Sequence, residues 1–177
     1  MTVQWHVGFV RSIMHGRDGV TGDLLCDEAR QAGADAVRTY HSTGNVVFRA
    51  DDGSRVCAHL TDVLTPLVGR NTTVIHRTAD DLALLVAADL FSSAPDAVAE
   101  LVVVFSSVEL DVSELRHGLP EGLGLLGTRG GRDAAFWRAS SSGPHPHPLV
   151  EELSGSPATA RSLSTIEGVN KLLTNVT

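Results

Sequence analysis

Arginine, histidine and hydroxyl side chains occur beside glycine in two stretches of the chain that could bind a polar ligand. The first stretch, residues 11–19, contains Arg11, His15 and Arg17 and connects a predicted strand to a predicted helix. Backbone N–H groups at such a junction, together with guanidinium groups, are able to hold a phosphate or a carboxylate. No Gly-Lys-Ser/Thr sequence follows, so the stretch is not a P-loop. A solvated connection is the alternative interpretation.

The second stretch contains His41, Ser42 and Asn45 in a predicted turn between two strands. His41 could act as a general base, and Ser42 could supply a hydroxyl. A hydrogen-bonded β-turn is the simpler interpretation of this sequence, and we favour it. Farther along the chain, Trp137 could either stack on a planar ligand or fill the core of a hairpin.

Other patterns are poor candidates for cofactor or catalytic sites. Residues 122–127 match G-x-G-x-x-G, but a glycine-rich turn follows where a dinucleotide site needs a helix. His145 and His147 alternate with prolines, so we expect a rigid loop with Pro148 at the start of a helix. Neither a metal nor a cofactor is expected. The signatures of serine-hydrolase elbows, zincins and thiol-redox enzymes are absent, and Cys26 and Cys57 are predicted to be buried on helices.

Composition limits the classes of protein to which the chain can belong. Hydrophobic residues make up 42% of its 177 residues, which is enough to form a folded core. The 14 basic residues are outnumbered by 21 acidic ones, and this disfavours non-specific binding to DNA. The first residues lack a basic and apolar leader, and no apolar run reaches about 18 residues. We therefore expect a cytoplasmic protein without a membrane partner.

The apolar pattern of the first half predicts one ferredoxin-like unit. Val3 to Val10 is a predicted half-buried strand, and helix, strand, strand, helix and strand follow as far as Arg77. The second helix of this series is expected from Ser54 to Gly69. Thr78 and Asp81 then form a predicted capping box that begins a third helix. The order is that of a βαββαβ unit, whose antiparallel sheet carries both helices on one face.

A similar but incomplete series follows in the second half. Strands are predicted at 101–105, 122–128 and 134–138, and helices at 111–117, 148–153 and 165–173, the last opened by Ser164. The sequence therefore predicts an α+β protein of two ferredoxin-like units with antiparallel sheets. The first unit is expected to span residues 1–92 and a degenerate second unit residues 93–177, together in one compact domain.

Three segments resemble signatures of a bacterial family known as domain of unknown function 1697. They are Phe9–Gly16, Tyr40–Phe48 and Ala158–Thr165, and they occur in the family's order over essentially the whole chain. The hairpin at Tyr40–Phe48 is the most specific of them. The resemblance implies an α+β fold of paired ferredoxin-like units, and it implies no activity.

The chain departs from the family pattern within these segments. Where the family has Arg-Asn-Trp-Asn-Thr, Arg161 and Thr165 remain, but Ser162, Leu163 and Ser164 stand between them. Hydroxyls and an aliphatic chain thus replace two amides and an indole N–H, which changes both hydrogen-bonding capacity and shape. In the first segment, Ser12 and Met14 occupy the family's Gly and Asn positions. If these segments line one pocket, this chain is expected to bind something other than a typical member does.

Our first hypothesis is a small-molecule-binding protein whose pocket lies between the two units. The ligand is expected to carry an anionic or carbonyl group, because arginines and helix starts supply the binding residues, namely Arg11, His15, Arg17, His41, Ser42, Asn45, Trp137, Arg161, Ser164 and Thr165. The arginine-rich, lysine-poor composition is typical of high-GC bacteria, in which a role in specialised metabolism would fit. A homodimer is compatible with the sequence.

Two other functions compete with this hypothesis. An enzyme would use His41 or His15 as a general acid or base in the same pocket, and replacing that histidine would abolish turnover while preserving binding. Nucleic-acid binding through a sheet face, as in RRM domains, is disfavoured by the net charge and by the absence of a basic-aromatic motif.

Overall fold

A four-stranded antiparallel sheet forms the centre of each of two units in a computed structural model, which describes residues 3–11, 19–42, 44–68 and 72–175. Unit 1 comprises Met1–Leu82 together with Val169–Thr177, and unit 2 comprises Ala83–Gly168. None of the helices in this described part of the chain has the length and apolar character of a membrane span.

Unit 1 has the predicted ferredoxin-like arrangement. Its elements are, in chain order, β1 (Gln4–Val10), α1 (Gly22–Gln31), β2 (Asp35–Tyr40), β3 (Asn45–Ala50), α2 (Gly53–Val68) and β4 (Val74–Thr78), and α3 (Ala79–Ala87) follows. The strands lie in the order β2-β3-β1-β4, and every neighbouring pair is antiparallel. The helix starting after β4 has the expected capping box: the Thr78 N–H donates to the Asp81 carboxylate and the Asp81 N–H to the Thr78 hydroxyl, both at 3.0 Å.

Unit 2 repeats this arrangement completely. Its elements are β5 (Glu100–Ser106), α4 (Val112–His117), β6 (Leu123–Arg129), β7 (Asp133–Arg138), α5 (Pro146–Ser154) and β8 (Ala158–Ser162). The helix α6 (Leu163–Thr174) begins in unit 2, and its residues from Val169 onwards belong to unit 1. The strand order β6-β7-β5-β8 matches that of unit 1, element for element. The predicted α+β fold of two ferredoxin-like units is therefore confirmed.

Two helix starts in unit 2 differ from the prediction. α5 begins at Pro146, because the first N–H groups of a helix have no acceptor and prolines there cost no hydrogen bond. The expected rigid loop before Pro148 is thus the first helical turn. α6 begins at Leu163, two residues before the predicted start at Thr165, because Ser162 takes the capping position expected of Ser164: its hydroxyl accepts from the Thr165 N–H at 3.3 Å.

The hydrophobic core of each unit lies between its helices and one face of its sheet. In unit 1 it includes Phe48 and Leu60, and in unit 2 it includes Phe136 and Val150. The expectation that β1 is half-buried is wrong, since every residue from His6 to Val10 is buried. The residues on the face of β1 opposite the helices are buried as well, so neither face of this central strand is exposed to solvent from His6 to Val10.

Candidate functional site

The predicted ligand-binding residues of unit 1 that the structure describes lie at one end of its sheet. The Arg11 N–H donates to the Thr73 carbonyl, and the Val10 N–H donates to the Gly44 carbonyl, each at 2.8 Å. These bonds place Arg11 beside the hairpin that carries His41 and Ser42. His15 and Arg17 lie outside the described residues.

The hairpin itself is held together by Asn45. This residue is fully buried, and its amide donates to the Tyr40 carbonyl at 2.8 Å across the loop. His41 and Ser42 are exposed, and the His41 ring stacks on Tyr40 with 4.0 Å between ring centroids. The structure thus gives Asn45 the turn-stabilising role that the simpler interpretation predicted.

The predicted residues of unit 2 gather where β5 begins and where β7 and β8 end. Trp137 pairs with Leu101, and Ser162 pairs with Val102 on the other side of β5. Trp137 is half-buried and lies against Gly124, where an added Cβ would come within 2.1 Å of the indole nitrogen. The absence of a side chain at Gly124 is therefore what allows this position of Trp137.

Arg161 is a buried cation of the β8 strand. Its guanidinium donates to the Thr159 hydroxyl and to the Ala160 carbonyl, both at 2.8 Å. Burial lowers the pKa of this guanidinium to about 10, so it still carries its charge at neutral pH. Arg161 consequently places a positive charge on the strand that leads directly into α6.

A groove of about 340 Å³ opens at this end of unit 2. It is lined by Val98, Ala99, Glu100, Leu101, Ser162, Leu163 and Ser164. The Ser162 hydroxyl lies 3.1 Å from that of Ser164 and 2.9 Å from that of Thr165, so three hydroxyls surround the start of α6. Of the predicted ligand-binding residues, Ser164 lines the groove directly and Thr165 is linked to its lining.

The carboxylate in the groove lining is already paired. Glu100 accepts from Arg138, whose side chain is only 2% exposed. The same guanidinium donates to the carbonyls of Pro144 at 3.0 Å, Ser141 at 3.1 Å and Gly143 at 2.8 Å. Arg138 thus compensates the charge of Glu100 and holds the loop between β7 and α5.

A second cluster, which the sequence analysis did not consider, lies in unit 1. The Ser54 hydroxyl is 3.2 Å from His76 Nδ1, and His76 Nε2 is 2.9 Å from His6 Nδ1. His6 Nε2 is in turn 3.1 Å from the Ala50 carbonyl. Because a carbonyl only accepts, neutral His6 carries its proton on Nε2 and accepts from His76, and neutral His76 then accepts from Ser54. We call this hydrogen-bonded series the Ser54–His76–His6 chain.

The predicted topology contained a signal for this cluster. In a ferredoxin-like sheet β1 and β4 are neighbours, and His6 lies on β1 and His76 on β4. In the observed register His6 is opposite Thr78, and His76 is opposite Gly8, so the two rings meet diagonally on one face. Both histidines lie within predicted strands, away from the glycine-containing loops in which a ligand site was expected.

The surroundings of His76 keep its ring neutral. Burial, His6 and Arg77 lower the pKa of His76 to about 4, against the opposing effect of Asp81 and Asp52. These groups come from β1, from β4, from the start of α3 and from the residue before α2. At neutral pH the ring is therefore a hydrogen-bond acceptor for Ser54.

The stability of the fold should fall on acidification because of His76. Its pKa is near the ordinary 6.5 in the unfolded chain and about 4 in the folded one, so between these values the unfolded chain binds more protons. The free energy of unfolding is therefore expected to decrease as the pH falls from 6.5 towards 4. Urea unfolding at a series of pH values measures this, and the His76→Gln variant should show a flatter profile. Identical profiles for the two proteins would contradict the prediction.

No group of three or more His, Cys, Asp and Glu side chains in residues 3–11, 19–42, 44–68 and 72–175 could hold a metal ion. Cys57 is buried in the unit 1 core, where burial raises the pKa of its thiol to about 12. Cys26 is partly buried on α1. Burial also raises the pKa of Cys26, so both thiols are protonated at neutral pH.

Comparison with known proteins gives a family and a fold. A family model described as protein of unknown function (DUF1697) matches residues 3–119. The solved structure of the conserved bacterial protein SP0830 from Streptococcus pneumoniae is similar, with a TM-score of 0.66 and 17% sequence identity, covering 97% of this chain and 99% of that chain. At this identity the similarity shows the fold alone. No curated protein matches the sequence.

Proposed function

We propose a function for this chain, which belongs to the DUF1697 family. It binds a small molecule with an anionic or carbonyl group in the groove of unit 2. The observation that carries the proposal is that the groove lies at the start of the helix α6. A volume of about 340 Å³ lies within the roughly 300–1,000 Å³ typical of small-molecule pockets. We place this function in the bacterial cytoplasm, as the sequence analysis predicts, with specialised metabolism as its setting.

The start of α6 supplies the polar side of the groove. Leu163 and Ser164 are the first two residues of this 12-residue helix, and both line the groove. First-turn N–H groups have no acceptor within their helix, and the positive end of the helix dipole favours a negatively charged or carbonyl oxygen. The Ser162 and Ser164 hydroxyls add donors at the same place.

The remaining lining is compatible with a small organic anion. Val98, Leu101 and Leu163 provide an apolar surface for a carbon skeleton. The Glu100 carboxylate would repel an anion if it were unpaired, but Arg138 compensates its charge. Arg11, His41 and the other predicted contacts of unit 1 stay predictions outside this proposal.

A thermal-shift screen with a matched pair of variants tests the proposal. Small carboxylates, phosphates and amides are the compounds to screen, and a true ligand at about 100 times its Kd should stabilise the protein by roughly 2.7 kcal/mol. Ser164→Trp fills the groove and should weaken binding at least tenfold. Ser113→Trp is the control, because Ser113 is an exposed serine in the first turn of α4, away from the groove. The proposal fails if no compound stabilises the protein, or if both variants bind as the wild type does.

A further inference from the structure

We propose that the Ser54–His76–His6 chain is a second, independent site in unit 1, in which Ser54 acts as a nucleophile towards esters and other activated acyl compounds. The proposal does not depend on the groove of unit 2, since the two sites share no residue.

The geometry is that of a nucleophile, a base and an orienting group. Ser54 Oγ lies within hydrogen-bond reach of His76 Nδ1, and His6 holds the opposite nitrogen of the same ring. His6 is itself held by the Ala50 carbonyl. An activated serine needs this sequence of contacts: a neutral imidazole that takes the proton, and a third group that sets the tautomer and direction of that imidazole.

Solvent exposure increases along the Ser54–His76–His6 chain from His6 to Ser54, as a reaction with a dissolved substrate requires. His6 is 1% exposed and His76 is partly buried, whereas Ser54 is exposed. The orienting group is therefore fixed within the fold, and the nucleophile can be reached by a dissolved substrate. Gly53 permits this arrangement, because a Cβ at this position would collide with both rings.

The reaction balances with the residues present. Ser54 Oγ attacks the acyl carbon, its proton moves to His76 Nδ1, and the resulting imidazolium keeps its Nε2–H bond to His6. The bond from the acyl carbon to the leaving oxygen then breaks, and that oxygen takes the proton from His76 and departs as an alcohol. Water, with His76 again as base, hydrolyses the acyl-Ser54 ester to a carboxylic acid and restores the serine.

The charges around His76 oppose one another. Asp52 and Asp81 favour the imidazolium that forms when Ser54 attacks, but burial, His6 and Arg77 have the larger effect and keep the resting ring neutral. Ser54 is also the second residue of the 16-residue helix α2, whose dipole favours a developing oxyanion at this end. In the first turn of α2, the Asp52 carboxylate accepts from the Arg55 N–H at 3.0 Å.

Covalent labelling provides the test, with Ser113 as a matched serine. Ser113, like Ser54, is the second residue of a helix and follows an Asp at the preceding cap, but its hydroxyl donates to the Asp111 carboxylate instead of a histidine. A fluorophosphonate probe, located by peptide mass spectrometry, should label Ser54 at least tenfold faster than Ser113. Ser54→Ala should abolish this labelling and hydrolysis of p-nitrophenyl acetate, whereas Ser113→Ala should change neither. Equal labelling of the two serines would overturn the proposal.

The role of His76 is tested separately from folding. His76→Gln should lower the Ser54 labelling rate at least tenfold in protein whose thermal unfolding remains cooperative. A thiol probe covers the case in which this variant is unstable: Ser54→Cys should react with iodoacetamide at least tenfold faster than Ser113→Cys, because His76 takes the thiol proton. Equal alkylation rates, or an unchanged labelling rate in a folded His76→Gln variant, would rule out an activated serine.

Discussion

Replacing Arg138 with alanine is expected to lower the free energy of unfolding of unit 2 by roughly 3–5 kcal/mol, because it removes a large buried side chain and leaves one carboxylate and three carbonyls without their donor. The guanidinium is almost completely buried and donates to Glu100 and to the carbonyls of Ser141, Gly143 and Pro144. Alanine leaves these acceptors without their donor and opens a cavity. Urea unfolding followed by Trp137 fluorescence in a Trp5→Phe background measures the loss.

Two variants show whether the buried contacts are responsible. Arg138→Lys keeps the charge but cannot reproduce the planar set of donors, so we expect an intermediate loss. Arg49→Ala removes an arginine that pairs with Asp35 on the exposed side of the first sheet, and its loss should be far smaller. A loss for Arg138→Ala no greater than that for Arg49→Ala would show that the loop before α5 is held by other contacts.

Arg138 also connects the stability of unit 2 with its groove. Its partner Glu100 lines the groove, and the β7–α5 loop that it holds follows directly after the strand carrying Trp137. An unpaired Glu100 would place a free carboxylate where we propose that an anionic group binds. The buried arginine is therefore part of the reason that this groove can accept such a ligand.

The fold could be predicted because its elements have clear local signals. Alternating apolar residues, capping residues such as Thr78 and Asp111, and the glycines of the β6–β7 turn, at φ +57° and +69°, all agree with the structure. β8 was missed because Ala158 to Ser162 contains small residues and an arginine instead of the β-branched residues typical of strands. It is recognised as a strand only through its pairing with β5.

The internal repeat is visible in the strand register and not in the sequence. Arg77 lies opposite Val7 on β1, and Arg161 lies opposite Val103 on β5. Each arginine donates to the carbonyl of the residue before it. The sequences around them differ, and the helices and loops between equivalent strands have different lengths, so only the sheet pairing brings out the correspondence.

The candidate sites, like the fold, could be predicted from the sequence only in part. Ser164 and Thr165 could be placed at a helix start from sequence, and they lie at the groove. The burial of Arg138 could not be predicted, because it depends on a loop that folds back over the end of β7. The contact between His6 and His76 joins residues far apart in sequence and depends on the register of β1 against β4, which side-chain alternation alone does not determine.

Gly53→Ala is expected to destabilise unit 1 by roughly 3 kcal/mol, at the upper end of what an extra methyl group costs in a packed site. An added Cβ would lie 2.4 Å from His6 Nδ1 and 2.5 Å from His76 Nε2, and His6 is almost completely buried. In an open helix the same change would stabilise the protein by up to about 1 kcal/mol, because alanine is the better helix former. A loss measured by urea unfolding therefore identifies the close approach of the two rings, and labelling of Ser54 should fall with it.

A double-mutant cycle with His6→Ala separates this contact from any general effect at the helix start. Removing the His6 ring opens the space that the new methyl group needs, although His76 still limits it. Gly53→Ala should then cost at least 1 kcal/mol less in the His6→Ala background than in the wild type, a coupling within the range of roughly 0.5–3 kcal/mol found for residues in contact. The same loss in both backgrounds would mean that the glycine is required by the backbone at the start of α2. A smaller loss would show that Gly53 provides the space in which Ser54, His76 and His6 meet.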